Sequence, residues 1–135
     1  MKRILLIMLC ASVIVSCEKT LDVPSLAEKM DGRWNVAGYT EERYQPALNT
    51  VTRIDFAGRV NDNMVFSTFD HLYVNFDTAA TAVWTYKEVD PITIDIEGKK
   101  WRIIKLDKTE FDLSLNERDT AVKLRNIVYY RLRRP

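Results

Sequence analysis

The fold class can be read from residues 92–115, ITIDIEGKKWRIIKLDKTEFDLSL, in which apolar and polar residues alternate. The alternation falls into three short runs that are separated by turn-forming residues such as Gly98. A strand with this pattern buries one face and exposes the other, and short polar connections join such strands as antiparallel hairpins. The segment therefore predicts three consecutive antiparallel strands, with Gly98 in the first turn.

The same alternation continues in both directions, from about residue 33 to the end of the chain. Nine runs qualify as strands, two of which can merge: 33–40, 51–56, 64–69, 72–76, 82–89, 92–96, 101–106, 110–115 and 121–133. Sequential antiparallel strands with one solvent-exposed face must close into a barrel or stack as two sheets to protect their edges. An up-and-down barrel does so with the fewest long connections. We predict an all-β fold, an eight-stranded antiparallel up-and-down barrel, over the alternative of a two-sheet sandwich.

The longest predicted connection spans residues 41–50, where Pro46 cannot donate a backbone hydrogen bond to a ladder. This segment carries the apolar side chains of Tyr44 and Leu48. Because loops carry exposed apolar residues when they serve a partner, we predict that Tyr44 and Leu48 contact one. The alternative is a loop that folds over the mouth of the barrel.

Composition limits the chemistry that the chain can perform. Its 135 residues include 20 Lys and Arg, 19 Asp and Glu, one His and two Cys. This length fits one domain, and a nearly neutral charge lacks the electrostatic signature of a nucleic-acid-binding protein. No nucleophile elbow, phosphate loop or dinucleotide fingerprint occurs, and we interpret His71 and the pair Asp95 and Glu97 as solvated surface groups. We expect no catalytic activity, no metal site, no cofactor and no nucleic-acid partner.

The N-terminal segment predicts that the protein is targeted to the cell envelope. Lys2 and Arg3 precede the apolar run 4–15, which is too short for a permanent membrane span and has the length of a signal-peptide core. The run ends in Ile14-Val15-Ser16-Cys17, which resembles a bacterial lipobox. That resemblance implies cleavage before Cys17 and lipidation of its thiol. The alternative is a secretory signal that is cleaved elsewhere, with Cys17 left as a free thiol.

The chain is thereby divided into three segments: residues 1–16 as a lipoprotein signal peptide, 17–31 as a lipidated leader with a short helix, and 32–135 as the barrel. Ser25 and Glu28 have the spacing of a capping box, and Gly32 can end the helix and turn the chain into the first strand. Acyl chains on Cys17 would anchor the domain to the outer membrane. Its periplasmic or cell-surface orientation stays open.

Gly32-Arg33-Trp34, directly after the short helix, resembles the Gly-x-Trp opening of lipocalins. The strand cadence that follows is similar to that of small lipocalin-like lipoproteins of the Bacteroidota, in residues 54–58, 84–86, 101–106, 111–115 and 129–133. The resemblance implies that Trp34 lies across the closed end of the barrel. It also implies that an arginine near the end of the last strand packs over this ring, with Arg131 and Arg133 as candidates.

Aromatic residues on predicted inward faces are the candidates for lining the lumen: Trp34, Phe56, Phe66, Phe76, Trp84, Tyr86, Phe111 and Tyr130. They form a cup for a small apolar ligand in one interpretation and fill a narrow barrel in the other. We favour filling, because the strands are short and the inward side chains are large.

The last strand carries a predicted outward basic stripe of Lys123, Arg125, Arg131 and Arg133, which Arg134 joins. Such a stripe can meet an acidic partner or phosphorylated lipid headgroups, and the alternative is a solvated face with acidic neighbours across the strands.

These observations favour a lipid-anchored envelope lipoprotein with a non-catalytic binding role. Our first hypothesis is an accessory subunit that docks on an outer-membrane or periplasmic complex through Tyr44, Leu48, Lys123, Arg125 and Arg131. The alternative is a carrier or sensor of a small apolar ligand in the lumen. A filled lumen with an exposed apolar patch would favour docking, and a roomy lumen would favour transport or sensing.

Overall fold

A computed structural model describes residues 23–76, 79–121 and 124–135. Within these residues the chain forms a short helix, one 3₁₀ turn and nine strands. In chain order they are α1 (Leu26–Met30), β1 (Gly32–Gln45), the 3₁₀ turn (Pro46–Leu48), β2 (Thr50–Ala57), β3 (Asn63–Ser67), β4 (His71–Asn75), β5 (Ala82–Asp90), β6 (Thr93–Ile96), β7 (Lys99–Leu106), β8 (Glu110–Asp119) and β9 (Leu124–Arg133).

The strands close into a barrel in which every neighbouring pair is antiparallel. β9 pairs with β1, so the last strand of the chain closes the circle. β2 and β3 lie on the same edge of β1, with β3 beside its first half and β2 beside its second half. They share one position, and nine strands therefore make the predicted eight-stranded, lipocalin-like up-and-down barrel.

Local sequence signals explain the entry into the barrel. The hydroxyl of Ser25 accepts a hydrogen bond from the backbone N–H of Glu28 at 3.2 Å, and the Glu28 carboxylate accepts one from the backbone N–H of Ser25 at 2.7 Å. Gly32 then adopts a φ of 97°, a conformation that L side chains disfavour. The predicted capping box, short helix and glycine turn are confirmed.

The closed end of the barrel is built around Trp34, whose side chain is fully buried. Its indole N–H donates a hydrogen bond to the carbonyl of Met30 at 2.6 Å, which ties α1 to the first strand. The guanidinium of Arg134 lies 3.9 Å from the centroid of the indole ring. The arginine over the tryptophan is therefore neither Arg131 nor Arg133, because alternation along β9 turns both outward while Arg134 follows the end of the strand.

The prediction of a loop over residues 41–50 is wrong. β1 runs on to Gln45 and pairs with β2 without interruption, from Gly38 opposite Ala57 to Gln45 opposite Thr50. Pro46 begins the 3₁₀ turn, where its missing N–H interrupts no ladder, so it ends the strand without preventing the one before it. Tyr44 accordingly belongs to a strand.

A bulge in β1 between Val36 and Gly38 reverses which residues face inward. Gly58 makes this bulge possible: its backbone N–H donates to the carbonyl of Ala37 at 3.1 Å, and a Cβ on Gly58 would lie 1.6 Å from the carbonyl oxygen of Val36. Beyond the bulge, Tyr39 lies opposite the inward-facing Tyr130. Only glycine fits this close approach.

The long strands β1, β8 and β9 extend past the level at which β3 and β4 end. β1 has 14 residues and β8 and β9 have 10 each, whereas β3 and β4 have 5 each. The additional length forms a four-stranded sheet at the end opposite Trp34, which we call the distal sheet. It consists of β2, residues 38–45 of β1, 124–131 of β9 and 112–119 of β8, in that order.

Candidate functional site

Most of the predicted lumen residues meet inside the barrel. Four of these rings form a chain of contacts, in which Trp34 contacts Phe111, Phe111 contacts Phe66 and Phe66 contacts Tyr86, each with ring centroids 5.3 Å apart. Trp84 and Tyr130 are partly buried and pack against this core. Trp101, which the prediction omitted, also lies inside and contacts Tyr130 at a centroid distance of 5.6 Å. Its alternation with Ile103 along β7 is the signal that identifies it.

These rings leave little free volume in the part of the barrel that the structure describes. The interior cavity measures about 40 Å³ and is lined by Met64, Leu72, Trp84, Ile96, Trp101, Leu113 and Tyr130. Ligand pockets measure roughly 300–1,000 Å³. The lumen is therefore too small for a ligand of that class.

The two remaining aromatic candidates border the mouth of the barrel, and only Phe56 lies away from the core. Phe56 is 37% exposed and stacks on Tyr39 with ring centroids 4.3 Å apart. Phe76 is half-buried where β4 ends and packs against the core, as predicted. Together with Tyr130 they border an open depression of about 470 Å³. Phe56 is displaced from the lumen because β2 sits beyond the level of β4.

The titratable groups inside and around the barrel serve structural contacts. Burial raises the pKa of Tyr86 to about 12, and its hydroxyl donates to the carbonyl of Ser67 at 2.7 Å. Asp95 accepts from the backbone N–H of Gly98 at 2.8 Å, and Glu97 accepts from the hydroxyl of Thr85 at 3.0 Å. Tyr86 is therefore a neutral phenol at physiological pH, and the two carboxylates stabilise the turn between β6 and β7.

His71, the single histidine of the chain, begins β4 and is exposed. Its Nδ1 lies 2.6 Å from the carbonyl oxygen of Phe69, and its ring stacks loosely on Tyr73. Among the residues that the structure describes, no three His, Cys, Asp or Glu side chains are grouped to hold a metal ion. In the same residues, none of the helical structure has the length and apolar character needed to cross a membrane.

A polar network holds the outer face of the distal sheet together. Thr40 is 2% exposed, and its hydroxyl donates to Asp55 at 2.5 Å and accepts from Arg131 at 3.2 Å. Arg53 donates to Asp55 at 3.1 Å and to Glu42 at 3.2 Å. The hydrogen bonds from Arg53 and Thr40 lower the pKa of the Asp55 carboxyl. Arg131 is thus largely committed to bonding within the sheet.

Two sets of predicted partner contacts meet on this outer face, near the tip of the distal sheet. Tyr44 on β1 lies directly opposite Arg125 on β9, although 81 positions separate them in the sequence. A groove of about 280 Å³ runs between them and is lined by Glu42, Tyr44, Val51, Arg125 and Ile127, which we call the distal groove. Leu48, which is 67% exposed, is the last residue of the adjacent 3₁₀ turn. Lys123 lies outside the described residues.

Arg125 and Arg133 of the predicted basic stripe bond to different residues of the neighbouring strand β8. Arg133 donates to Asp112 at 2.7 Å and lies 3.3 Å from Glu110, in accord with the alternative of acidic neighbours across the strands. Arg125 donates to Asn116 at 3.2 Å and lies directly opposite Arg118 on β8. Two facing arginines repel each other, so an acidic group placed between them would be attracted. Arg125 is the member of the stripe that is best placed for a partner.

Comparison with known proteins adds no relative: no protein family, no curated protein and no solved structure matches this chain.

Proposed function

We propose that this protein is a lipid-anchored envelope lipoprotein, related to the small lipocalin-like lipoproteins of the Bacteroidota, that acts as a non-catalytic accessory subunit. It docks on a protein complex of the outer membrane or periplasm through the distal groove and Leu48. The observation that carries this proposal is the contrast between a lumen with about 40 Å³ of free space and a protruding sheet whose tip exposes apolar side chains.

The composition of the tip supports a protein partner. Leu48 is 67% exposed, Val51 is 65% exposed and Tyr44 is 37% exposed, and Arg125 lies beside them. Tyrosine and arginine are enriched among the residues that dominate binding energy at protein interfaces, and exposed aliphatic side chains gain from burial there. The facing Arg118 and Arg125 favour a partner that presents an acidic residue next to an apolar one.

The point at which the described chain enters the barrel supports the same function. Cys17 and the lipobox lie outside the described residues, and the described chain enters the barrel through α1 at the closed end. β1 has 14 residues and therefore spans roughly 45 Å from that end to the tip of the distal sheet. A domain tethered through Cys17 would hold its closed end near the membrane and present the distal groove away from it.

Co-purification with matched variants tests the proposal. The double variant Tyr44→Ser and Leu48→Ser removes apolar surface from the tip. The control, Phe69→Ser and Ile92→Ser, removes side chains that are 80% and 52% exposed in turns remote from the tip. We expect the distal variant to lose a partner that the wild-type and control proteins both retain from native membranes in mild detergent, with melting temperatures unchanged. Retention of the partner by the distal variant would contradict the proposal.

A second candidate function is the binding of a small apolar ligand at the barrel mouth. It is favoured by the depression of about 470 Å³ that Tyr39, Phe56, Phe76 and Tyr130 border. This site lies above the filled lumen, so a ligand there would remain partly exposed. Saturable binding that is lost on Phe56→Ala and retained by the distal variant would establish it.

A further inference from the structure

We infer that β2 is the interface of a symmetric dimer, in which the free edges of two copies of β2 pair antiparallel. This interface goes beyond the proposed docking function. It uses the backbone edge of β2, whereas docking uses the distal groove on the outer face of the sheet, and the two proposals can fail independently.

The edge of β2 is open along its whole length. β2 pairs with β1 at eight consecutive positions, and in the described part of the chain no strand pairs with its other edge. All eight residues from Thr50 to Ala57 are exposed. An unpaired edge presents a row of backbone N–H and C=O groups that can form a ladder with another strand.

This edge lacks the devices that usually prevent such pairing. Its sequence, TVTRIDFA, contains no proline, lysine or glycine, and its register with β1 has no bulge. Val51, Ile54 and Phe56 remain 65%, 41% and 37% exposed. The only two charges, Arg53 and Asp55, lie 3.1 Å apart and neutralise each other. Natural edge strands are commonly protected by lysine, proline or bulges, so the free edge of β2 is open to pairing with another strand.

The sequence of β2 also selects a second copy of itself as the partner. A two-fold axis through Ile54 places Arg53 of each copy opposite Asp55 of the other and places Ile54 opposite itself. The same register pairs Thr52 with Phe56 of the second copy, both on the inner face. Opposite charges that face each other across strands are stabilising, and like charges are destabilising.

The neighbouring symmetric registers are disfavoured because they place like charges opposite each other. An axis through Arg53 would oppose two arginines, and an axis through Asp55 would oppose two aspartates. Centring on Ile54 satisfies both charged pairs at once. Because each copy contributes one such edge, the pairing closes at two copies and does not propagate into a filament.

The interface is small, since it joins one edge of eight residues on each side. Interfaces of this size belong to the weak class in solution. If the proposed lipid anchor confines the copies to one membrane surface, it raises their effective concentration and strengthens the dimer. Dimerisation is therefore best measured in full-length protein reconstituted into vesicles, with protein in mild detergent as the dilute reference.

Disulfide trapping with single cysteines on β2 tests the geometry. In the inferred register the two Ile54 side chains face each other with Cβ atoms about 4.5–5.5 Å apart, whereas the two Thr50 side chains are roughly 26 Å apart. We expect Ile54→Cys to give a disulfide-linked dimer on the order of tenfold faster than Thr50→Cys, which lies on the same strand and face. The wild-type protein, which has no cysteine on β2, provides the blank. Equal rates for the two variants would overturn the inference.

A charge exchange tests the partner. Arg53→Glu opposes two acidic pairs in its own homodimer, and Asp55→Lys opposes two basic pairs in its own. Mixed together, the two variants restore both attractive pairs. We expect each variant alone to lose the Ile54→Cys crosslink and an equimolar mixture of differently tagged variants to recover it as a heterodimer. Absence of the heterodimer from the mixture, or crosslinking of β2 to a different protein only, would overturn the inference.

Folding of the variants is checked separately, because Asp55 accepts a hydrogen bond from the buried Thr40. The Ile54→Cys and Thr50→Cys pair leaves both charges in place and so does not depend on this contact. The docking proposal is unaffected by either result, since its double variant at Tyr44 and Leu48 leaves every residue of β2 unchanged.

Discussion

Removal of the Trp34 side chain probes the closed end of the barrel most directly. The ring is fully buried, its N–H donates to the carbonyl of Met30 at 2.6 Å, and the Arg134 guanidinium covers its face at 3.9 Å. Replacing a fully buried tryptophan by alanine costs about 3–5 kcal/mol through lost transfer energy and the cavity left behind. For a domain of this size each kcal/mol lowers the melting temperature by about 4 °C, so Trp34→Ala should lower it by roughly 12–20 °C.

The measurement is the free energy of unfolding from urea denaturation, followed by circular dichroism because two other tryptophans would complicate fluorescence. Trp34→Phe is the matched control, since it keeps an aromatic ring against Phe111 and loses only the N–H and part of the volume. A double-mutant cycle with Arg134→Ala should give a coupling of about 1 kcal/mol for the cation–π contact. A loss below about 1 kcal/mol for Trp34→Ala would refute the assignment of this ring to the packed core.

Four further predictions address other parts of the molecule. Gly58→Ala should destabilise the domain by about 1–3 kcal/mol or more, because the new Cβ would lie 1.6 Å from the carbonyl oxygen of Val36. Urea denaturation measures the loss of stability, and an unchanged midpoint would contradict the close approach. Cys17→Ser should remove the acyl mass and release the domain from the membrane fraction, whereas a wild-type protein without acyl mass would refute the anchor. Fatty acids at micromolar concentration should not quench tryptophan fluorescence, since the lumen holds about 40 Å³; saturable quenching that is lost on Trp84→Ala would show that the lumen opens. Burial raises the pKa of Tyr86 from 10.0 to about 12. The neutral phenol therefore contributes its full stabilisation below pH 10, and this contribution is lost as the pH rises toward 12. Tyr86→Phe should flatten this part of the profile of unfolding free energy against pH.

Several parts of the fold follow from short-range sequence patterns. The nine runs of alternation all correspond to strands, because burial of one sheet face requires a period of two that is visible within five or six residues. The capping box of Ser25 and Glu28 and the hairpin turn at Gly98 are equally local, since each is complete within four residues. The closed barrel was predictable from these elements, because sequential hairpins must hide their edges.

The predicted contact residues illustrate the opposite case. The sequence predicts Tyr44 in a loop and Arg125 in a strand, and only the pairing of β1 with β9 joins them in one groove. Thr40 and Arg131 meet across the same pair, 91 positions apart in the chain. Pro46 predicts a loop, yet strand pairing continues to the residue before it.

The strands, the helix cap and the order of the hairpins are encoded locally, because they depend on neighbours within a few residues. The face that each half of β1 presents is set by a long-range contact, since the bulge after Val36 depends on the backbone of Gly58, some twenty residues away. The tertiary structure also decides that Arg134 covers Trp34 and that β2 lies outside the closed part of the barrel with one edge free. These features arise from contacts between distant segments, and no local period of apolar residues encodes them.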